Sequence, residues 1–180
     1  MALSLQAYCR SDHPTPLMRP VRSGSNLQLV DMVLKTFLAE SCLEIRRALV
    51  ESMQQVAPIR FVGLANTEGG AHQWLDDRNH NWDLAIIDLQ LNEGSGFGVL
   101  REHRDRTNLQ KIVVLTGYVN TDIRQRCLQS GADGVFDKNH DIEKLVDFCK
   151  VHASYVDFML NSGLVETGAS DPVPLRRLEH

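Results

Sequence analysis

The sequence predicts an α/β fold: a doubly wound, five-stranded parallel sheet with helices on both faces and an extended C-terminal helix. Three observations support this prediction. Apolar runs and helical patterns alternate five times along the 180 residues, which is typical of parallel sheets. The run that ends at Asp88 is apolar throughout, which indicates a strand buried on both faces. The length suits one domain with extensions at its ends.

The first three elements are predicted as a strand at residues 35–39, a helix at 42–56 and a strand at 59–64, which Pro58 separates from the helix. The helix carries the apolar stripe that a sheet-covering helix requires. The stripe consists of Ile45, Leu49 and Met53.

An alternative register places the first strand at residues 27–30, with Asp31 at its tip and one helix over 33–55. Such a helix would have about 23 residues, twice the usual length of about 11. The choice between the registers decides whether Glu40 or Asp31 joins the candidate site.

The middle of the chain supplies a helix at 71–77, whose Trp74 and Leu75 face the core, and a third strand that ends at Asp88. The next helix carries Phe97, Val99 and Leu100. A fourth strand begins at residue 111 and ends at Thr116, before a helix at 121–130.

That helix stops at Gly131, a residue suited to the left-handed turn that closes helices. The fifth strand reaches Lys138. These patterns complete five strands and four crossing helices.

The last helix is predicted over residues 141–161 and would be about 30 Å long, more than a small sheet needs. Its first stripe faces the sheet and consists of Ile142, Leu145, Val146, Cys149, Ala153, Val156 and Leu160. A second stripe consists of Phe148, Val151, Tyr155, Phe158 and Met159. We expect the second stripe to pair with another copy of the chain, as a homodimer. The alternative is packing against the chain's own Leu27, Leu29, Val30 or Met32.

Composition excludes several classes of protein. The net charge is −4 and the pI is near 5.9, so we expect no nucleic-acid partner, because phosphate binding needs a basic surface. The four scattered cysteines lack the spacing of a zinc site. No apolar stretch approaches the roughly 20 residues of a membrane span, and no signal peptide is indicated. We therefore expect a cytoplasmic protein without a membrane partner.

The predicted organisation has three parts. Residues 1–25 form a flexible N-terminal arm, 26–162 a domain that includes the long last helix, and 163–180 a tail. The tail ends in Leu178, Glu179 and His180, which resemble the start of an expression tag. No output domain is expected after this domain, so the protein would act by contact.

Polar side chains at successive strand ends are the candidate functional residues. In parallel α/β folds the carboxyl ends of strands meet where the strand order reverses, so Glu40, Asp88, Thr116 and Lys138 should converge. Magnesium suits such carboxylates, because it takes oxygen ligands and is often held together with a phosphate. The Asp88 carboxylate is then a candidate nucleophile for a phosphoryl group. Magnesium and Lys138 would neutralise the phosphoryl charge, and Thr116 would hydrogen-bond it.

The order of these motifs resembles one known family, the receiver domain of two-component response regulators. The resemblance covers residues 35–149. Residues 84–91 are similar to the phosphoacceptor strand, 94–100 to the loop and helix after it, 113–117 to the strand with the switch hydroxyl, and 131–138 to the fifth strand and its lysine. The proline that is common in the loop of this family is absent.

The resemblance implies a flavodoxin-like receiver fold and a single-domain response regulator. Asp88 would accept a phosphoryl group from a histidine kinase or phosphotransfer protein, with Mg²⁺ present, and signal to a downstream protein target. Glu40, Asp88 and the main-chain carbonyl of Gln90 would be metal ligands. The Gln90 and Tyr118 side chains would flank the path of hydrolytic water. Enzymatic activity would be at most self-phosphorylation and autodephosphorylation.

Two departures from the family pattern bear on function. Ser41 stands where the family commonly has the acid that binds the metal directly, so it would bind weakly or through water and Mg²⁺ affinity should be reduced. Val135 stands where many members carry an aromatic switch partner for the threonine. Phe136, its neighbour, should point to the opposite face of the strand.

Two other hypotheses remain open at this stage. The departures at Ser41 and Val135, together with the long helix, fit a degenerate receiver that serves as a phosphorylation-independent interaction or dimerisation module. A small enzyme or flavin carrier on a related doubly wound fold is the third hypothesis.

Overall fold

Strands and helices alternate strictly from residue 32 to residue 162, the part of the chain that the computed structural model describes. The elements in chain order are β1 Leu34–Ala39, α1 Leu43–Val56, β2 Ile59–Ala65, α2 Glu68–Leu75, β3 Leu84–Ile87, α3 Gly96–Glu102, β4 Lys111–Thr116, α4 Thr121–Gln129, β5 Gly134–Asp137 and α5 Ile142–Asn161. The predicted arm over 1–25 and the predicted tail over 163–180 lie outside the described residues.

The five strands form one parallel sheet in the order β2-β1-β3-β4-β5. The chain runs outward from β1 to β2 and then crosses back to β3, so the winding reverses between β1 and β3. Loops at the carboxyl ends of strands separate at such a point and leave a crevice. The predicted doubly wound α/β fold is confirmed, and the residues after β1 and β3 border the crevice.

The alternative register of the first strand is wrong. Leu34–Ala39 is a strand that pairs with β2 on one side and with β3 on the other, so no helix runs over 33–55. Residues 27–31, including Asp31, lie outside the described part. Glu40 therefore follows the first strand of the sheet and is the acid at its carboxyl end.

Successive residues of the central strands enter two separate cores, because side chains alternate between the faces of a sheet. The core beneath α1 and α5 includes Leu38, Leu49, Met53, Ile86, Val113, Leu145 and Val156. The core beneath α2, α3 and α4 includes Phe37, Leu75, Ile87, Val99, Leu100, Val114 and Cys127. Val135 belongs to the second core and Phe136 to the first, which confirms that they face opposite sides.

Helix α2 begins earlier than the sequence suggests. A helix at 71–77 is predicted, but the observed helix is Glu68–Leu75. Thr67 caps it, since its Oγ1 accepts a hydrogen bond from the Gly70 N–H at 3.1 Å. The adjacent Gly69 and Gly70 lower helix propensity and hide this start.

Helix α5 confirms the prediction of one helix with two apolar stripes. Its first stripe packs in the core from Ile142 to Val156, whereas Leu160, the last predicted member, is 45% exposed. His152, 5% exposed, hydrogen-bonds the Asp83 carbonyl at 3.1 Å. In the second stripe Val151 is 71%, Tyr155 40% and Phe158 62% exposed. Among residues 32–162 no helix combines the length and apolar content needed to cross a membrane.

Candidate functional site

Asp88 lies directly after β3 at the crevice. Its N–H donates to the Ala39 carbonyl at 2.9 Å, so β1 fixes its backbone. The side chain is only 7% exposed, and its Oδ2 accepts a hydrogen bond from Lys138 Nζ at 2.7 Å. The other oxygen, Oδ1, is buried without a hydrogen-bond partner among the described residues. A buried carboxylate oxygen without a donor is unfavourable unless a ligand completes it.

Glu40 is the second buried carboxylate of the site. It follows β1, and its side chain is 2% exposed. Its Oε1 accepts a hydrogen bond from the Cys42 N–H at 2.9 Å, and its Oε2 accepts one from Lys138 at 2.5 Å. Both oxygens of Glu40 are therefore engaged, whereas only one oxygen of Asp88 is.

Lys138 joins the two carboxylates. It follows β5, and its N–H donates to the Thr116 carbonyl at 2.9 Å, so the end of β4 holds its backbone. Burial by itself favours the neutral amine, but the hydrogen bonds and negative charges of Asp88 and Glu40 raise the pKa of Lys138. The side chain is consequently an ammonium ion at neutral pH, and the site carries a net charge of −1 from these three groups.

Thr116 and Tyr118 occupy different positions relative to this cluster. Thr116 ends β4 at the same edge of the sheet and is 4% exposed. Register places it opposite Asp137, the residue before Lys138. Tyr118 is 66% exposed, on the loop after β4. The structure thus brings Glu40, Asp88 and Lys138 into direct contact. Thr116 lies beside the backbone of Asp137 and Lys138, and Tyr118 is exposed to solvent.

A cavity of about 560 Å³ opens onto the three contacting residues. Ser41 and Gln90, both predicted site residues, line it. Its apolar wall, which sequence reasoning missed, consists of Ile45, Ala48, Leu49 and Ile142. The apolar stripe of α1 is the only sign of this wall in the sequence. A stripe indicates which side chains are buried but not which of them border a site.

The loop between β3 and α3 approaches Asp88 closely. A Cβ on Gly96 would lie 2.2 Å from the Asp88 carbonyl oxygen, so no larger residue fits there without a shift of the loop. Gly96 N–H donates to the Leu89 carbonyl at 3.1 Å, and Gln90 pairs with Ser95 across the loop. The loop therefore holds the backbone of Gln90 beside the cavity.

This donor set fits a divalent cation of the magnesium type. Asp88 Oδ1 is the unpartnered oxygen, and Glu40, Ser41 and Gln90 border the same cavity. Such oxygen donors with room for water suit Mg²⁺. Ser41 brings a neutral hydroxyl where a carboxylate would bring charge, so the set is weaker than one with three acids.

Comparison with known proteins identifies the family. Residues 29–150, more than half of the chain, match the model of the response regulator receiver domain. A Pseudomonas aeruginosa protein whose name assigns it to transcriptional regulation is 29% identical over 99 residues, which is 54% of this chain and 48% of the relative. The chain thus spans about half the length of that curated relative.

Solved structures share the fold at low identity. A LuxR-family DNA-binding response regulator from Staphylococcus aureus superposes with a TM-score of 0.59 at 18% identity, over 67% of this chain and 99% of that one. A Francisella receiver domain superposes with a TM-score of 0.59 at 18% identity, over 68% of this chain and 98% of that one. A third similar structure is a Burkholderia pseudomallei response regulator with a phosphorylated aspartic acid, calcium ion and citrate. It superposes with a TM-score of 0.54 at 21% identity, over 72% of this chain and 74% of that one.

These structures share the overall fold, and the family match over residues 29–150 spans all five strands. This chain belongs to the family of response regulator receiver domains.

Proposed function

We propose that this protein accepts a phosphoryl group on Asp88 from a histidine kinase or phosphotransfer protein and signals to a downstream protein by contact. One observation carries the proposal. Asp88 is a buried carboxylate with one oxygen on the Lys138 ammonium and the other, Oδ1, without a partner beside an open cavity. A nucleophile in this state is oriented and charged, yet retains a lone pair for attack.

Phosphoryl transfer would use the residues already in place. The Asp88 carboxylate attacks the phosphorus, the bond from phosphorus to the donor's histidine nitrogen breaks, and the nitrogen keeps the electron pair. The product carries more negative charge than the carboxylate did, and Lys138, now shared between Glu40 and Asp88, is close enough to neutralise it. Thr116 at the end of β4 would donate its hydroxyl to a phosphoryl oxygen.

Mg²⁺ is proposed as the resident cation of this site. Asp88, Glu40 and the Gln90 carbonyl would hold it, with Ser41 as a weak ligand or one bridged by water. When bound, it supplies charge neutralisation for the incoming phosphoryl group. The missing acid at position 41 predicts weaker binding than three carboxylates would give.

The test is phosphorylation by a small donor. Wild-type protein incubated with acetyl phosphate and Mg²⁺ should gain the mass of one phosphoryl group, and Asp88→Asn should gain none. Asp147→Asn is a matched control, because Asp147 is a surface acid whose side chain is 77% exposed. Absence of the mass gain in wild type, or an equal gain in Asp88→Asn, would refute the proposal.

A second candidate function is a phosphorylation-independent dimerisation module, which the exposed face of α5 favours. Val151, Tyr155 and Phe158 are spaced by four and three residues, the spacing of a coiled-coil seam. Such a seam suits the same helix of a second copy, since identical stripes are self-complementary around a two-fold axis.

Sedimentation measured over a range of concentrations tests this candidate. Wild type should form a dimer, and Val151→Asp should remain a monomer, because the substitution would place a charge within the seam. Lys150→Glu is the control, since Lys150 is an exposed neighbour outside the seam. A wild type that stays monomeric, or dimers that persist in Val151→Asp, would exclude the α5 seam as an interface.

The kinase or phosphotransfer protein and the downstream target all stay predictions. Two of the similar structures are a DNA-binding response regulator and one bound to promoter DNA, while the net charge of −4 argues against direct nucleic-acid contact by this chain. The cytoplasmic location is likewise a prediction from the sequence.

A further inference from the structure

Glu68, in the first turn of α2, holds the loop that joins β3 to α3. Its Oε2 accepts a hydrogen bond from the Ser95 N–H at 2.6 Å, although the two residues are 27 positions apart. Its own N–H donates to the Glu93 carbonyl at 2.9 Å. One residue therefore contacts the loop through both its main chain and its side chain.

The Glu68 side chain packs closely against two glycines, one in the loop and one in α3. A Cβ on Gly94 would lie 2.4 Å from Glu68 Cβ, and a Cβ on Gly98 would lie 1.7 Å from Glu68 Oε1. Gly94 also has a φ of +78°, which side chains disfavour. The Glu68 side chain thus fills the space that these two glycines leave.

A third hydrogen bond holds the same loop, this time to the residues between β2 and α2. The Asn92 N–H donates to the Asn66 carbonyl at 2.9 Å, a bond that a proline at position 92 could not make. The β3–α3 loop contains no proline to stiffen it, so hydrogen bonds to the β2–α2 loop restrain it instead.

Restraint of Ser95 is passed on to the cavity. Ser95 pairs with Gln90 as an isolated antiparallel bridge, and Gly96 N–H donates to the Leu89 carbonyl at 3.1 Å. The position of Gln90 therefore depends on where Ser95 is held. Gln90 borders the cavity that contains Asp88.

We propose that Glu68 is a positioning residue for the metal and phosphoryl site: it anchors Ser95 and thereby holds the Gln90 carbonyl in place for the cation. This inference rests on the proposed function, because it takes the Gln90 carbonyl as a ligand. Glu68 itself touches neither the cation nor the phosphoryl group. Its role is to preorganise a ligand, which lowers the conformational freedom lost on binding.

The experiment measures Mg²⁺ affinity by calorimetry and the hydrogen exchange rate of the Ser95 amide in the same variants. Glu68→Ala removes the acceptor, and Glu68→Asp keeps the charge but is one methylene too short to reach Ser95. Both should bind Mg²⁺ about tenfold more weakly, as loss of one charged hydrogen bond implies. Both should also expose the Ser95 amide to faster exchange. Glu68→Gln retains an acceptor oxygen and should stay within about twofold of wild type in affinity.

Thr67→Ala is the matched control. It weakens α2 by removing the cap on Gly70 but leaves the contact of Glu68 with Ser95, so affinity and Ser95 exchange should stay near wild type. The inference is overturned if Thr67→Ala weakens Mg²⁺ binding as much as Glu68→Ala does. It is also overturned if the Ser95 amide stays protected in Glu68→Ala and Glu68→Asp. A wild type that binds no Mg²⁺ would contradict the proposed metal site and with it the positioning role, even if Ser95 exchange shows the anchor to exist.

Discussion

Replacing Ser41 by aspartate should strengthen Mg²⁺ binding, and the structure allows the gain to be calculated. Residue 41 lines the cavity with Glu40 and Asp88, whose two charges are offset by one ammonium, that of Lys138. An added carboxylate about 4 Å from a cation contributes at most about 4 kcal/mol at an effective dielectric constant of 20.

Ser41 is only partly buried, so water and salt reduce that maximum. Halving it leaves about 2 kcal/mol, or about 30-fold in affinity. The same substitution adds repulsion to the cation-free site. Ser41→Asp should therefore be less stable than wild type without Mg²⁺ and should gain more stability when Mg²⁺ is added.

Calorimetric titration of Mg²⁺ into wild type, Ser41→Asp and Ser41→Asn measures this effect. Asparagine has the size of aspartate without its charge, so Ser41→Asn should stay within about threefold of wild type if charge is the cause. Equal affinities of wild type and Ser41→Asp would refute the reasoning, as would an equal gain in Ser41→Asn. The first result would mean that position 41 does not limit cation affinity, and the second that its charge is not the cause.

Two further predictions concern stability, and a third concerns the phosphorylation rate. Lys138→Gln leaves Glu40 and Asp88 buried without their shared cation, so the free energy of unfolding in urea should fall by about 3 kcal/mol. Saturating Mg²⁺ should restore part of this loss. An unchanged midpoint of the urea unfolding curve would contradict the prediction. Burial lowers the pKa of His152 below 6.5, so the unfolded chain takes up the proton first as the pH falls. The free energy of unfolding should therefore decline below about pH 6.5. Between about pH 7.5 and 5.5 it should decline less in His152→Gln than in wild type, as measured by urea titration. An equal decline in the two proteins would argue against this reasoning. Gly96→Ala would place a methyl group 2.2 Å from the Asp88 carbonyl and should lower the phosphorylation rate with acetyl phosphate, whereas Gly69→Ala, at an open position, should leave the rate unchanged.

Much of the fold follows from local patterns. The apolar runs that end at Asp88, Thr116 and Lys138 identify three strands together with the side chains at their tips, because burial on both faces of a sheet demands continuous apolar residues. The structure places those strands within one residue of the predicted ends. The start of α2 is less predictable, since Gly69 and Gly70 lower the helix propensity of this segment. The hydrogen bond by which Thr67 caps the helix is seen only in the folded structure.

The choice between Glu40 and Asp31 shows the limit of local patterns. Each follows an apolar stretch, and helix length was the only local argument between them. Pairing of β1 with β2 and β3 settles the matter in favour of Glu40, because six residues of β1 pair with the neighbouring strand β2.

The sequence by itself determined the fold class, the order of the elements and the residues at the strand tips, since each of these reflects the burial of neighbouring side chains. Only the tertiary structure decided that Lys138 bridges Glu40 and Asp88, which are 98 and 50 positions away from it, and that Glu68 anchors Ser95. The reason is that these contacts depend on strand order and on how the loops pack at one edge of the sheet. Neither property leaves a periodic signal in the chain.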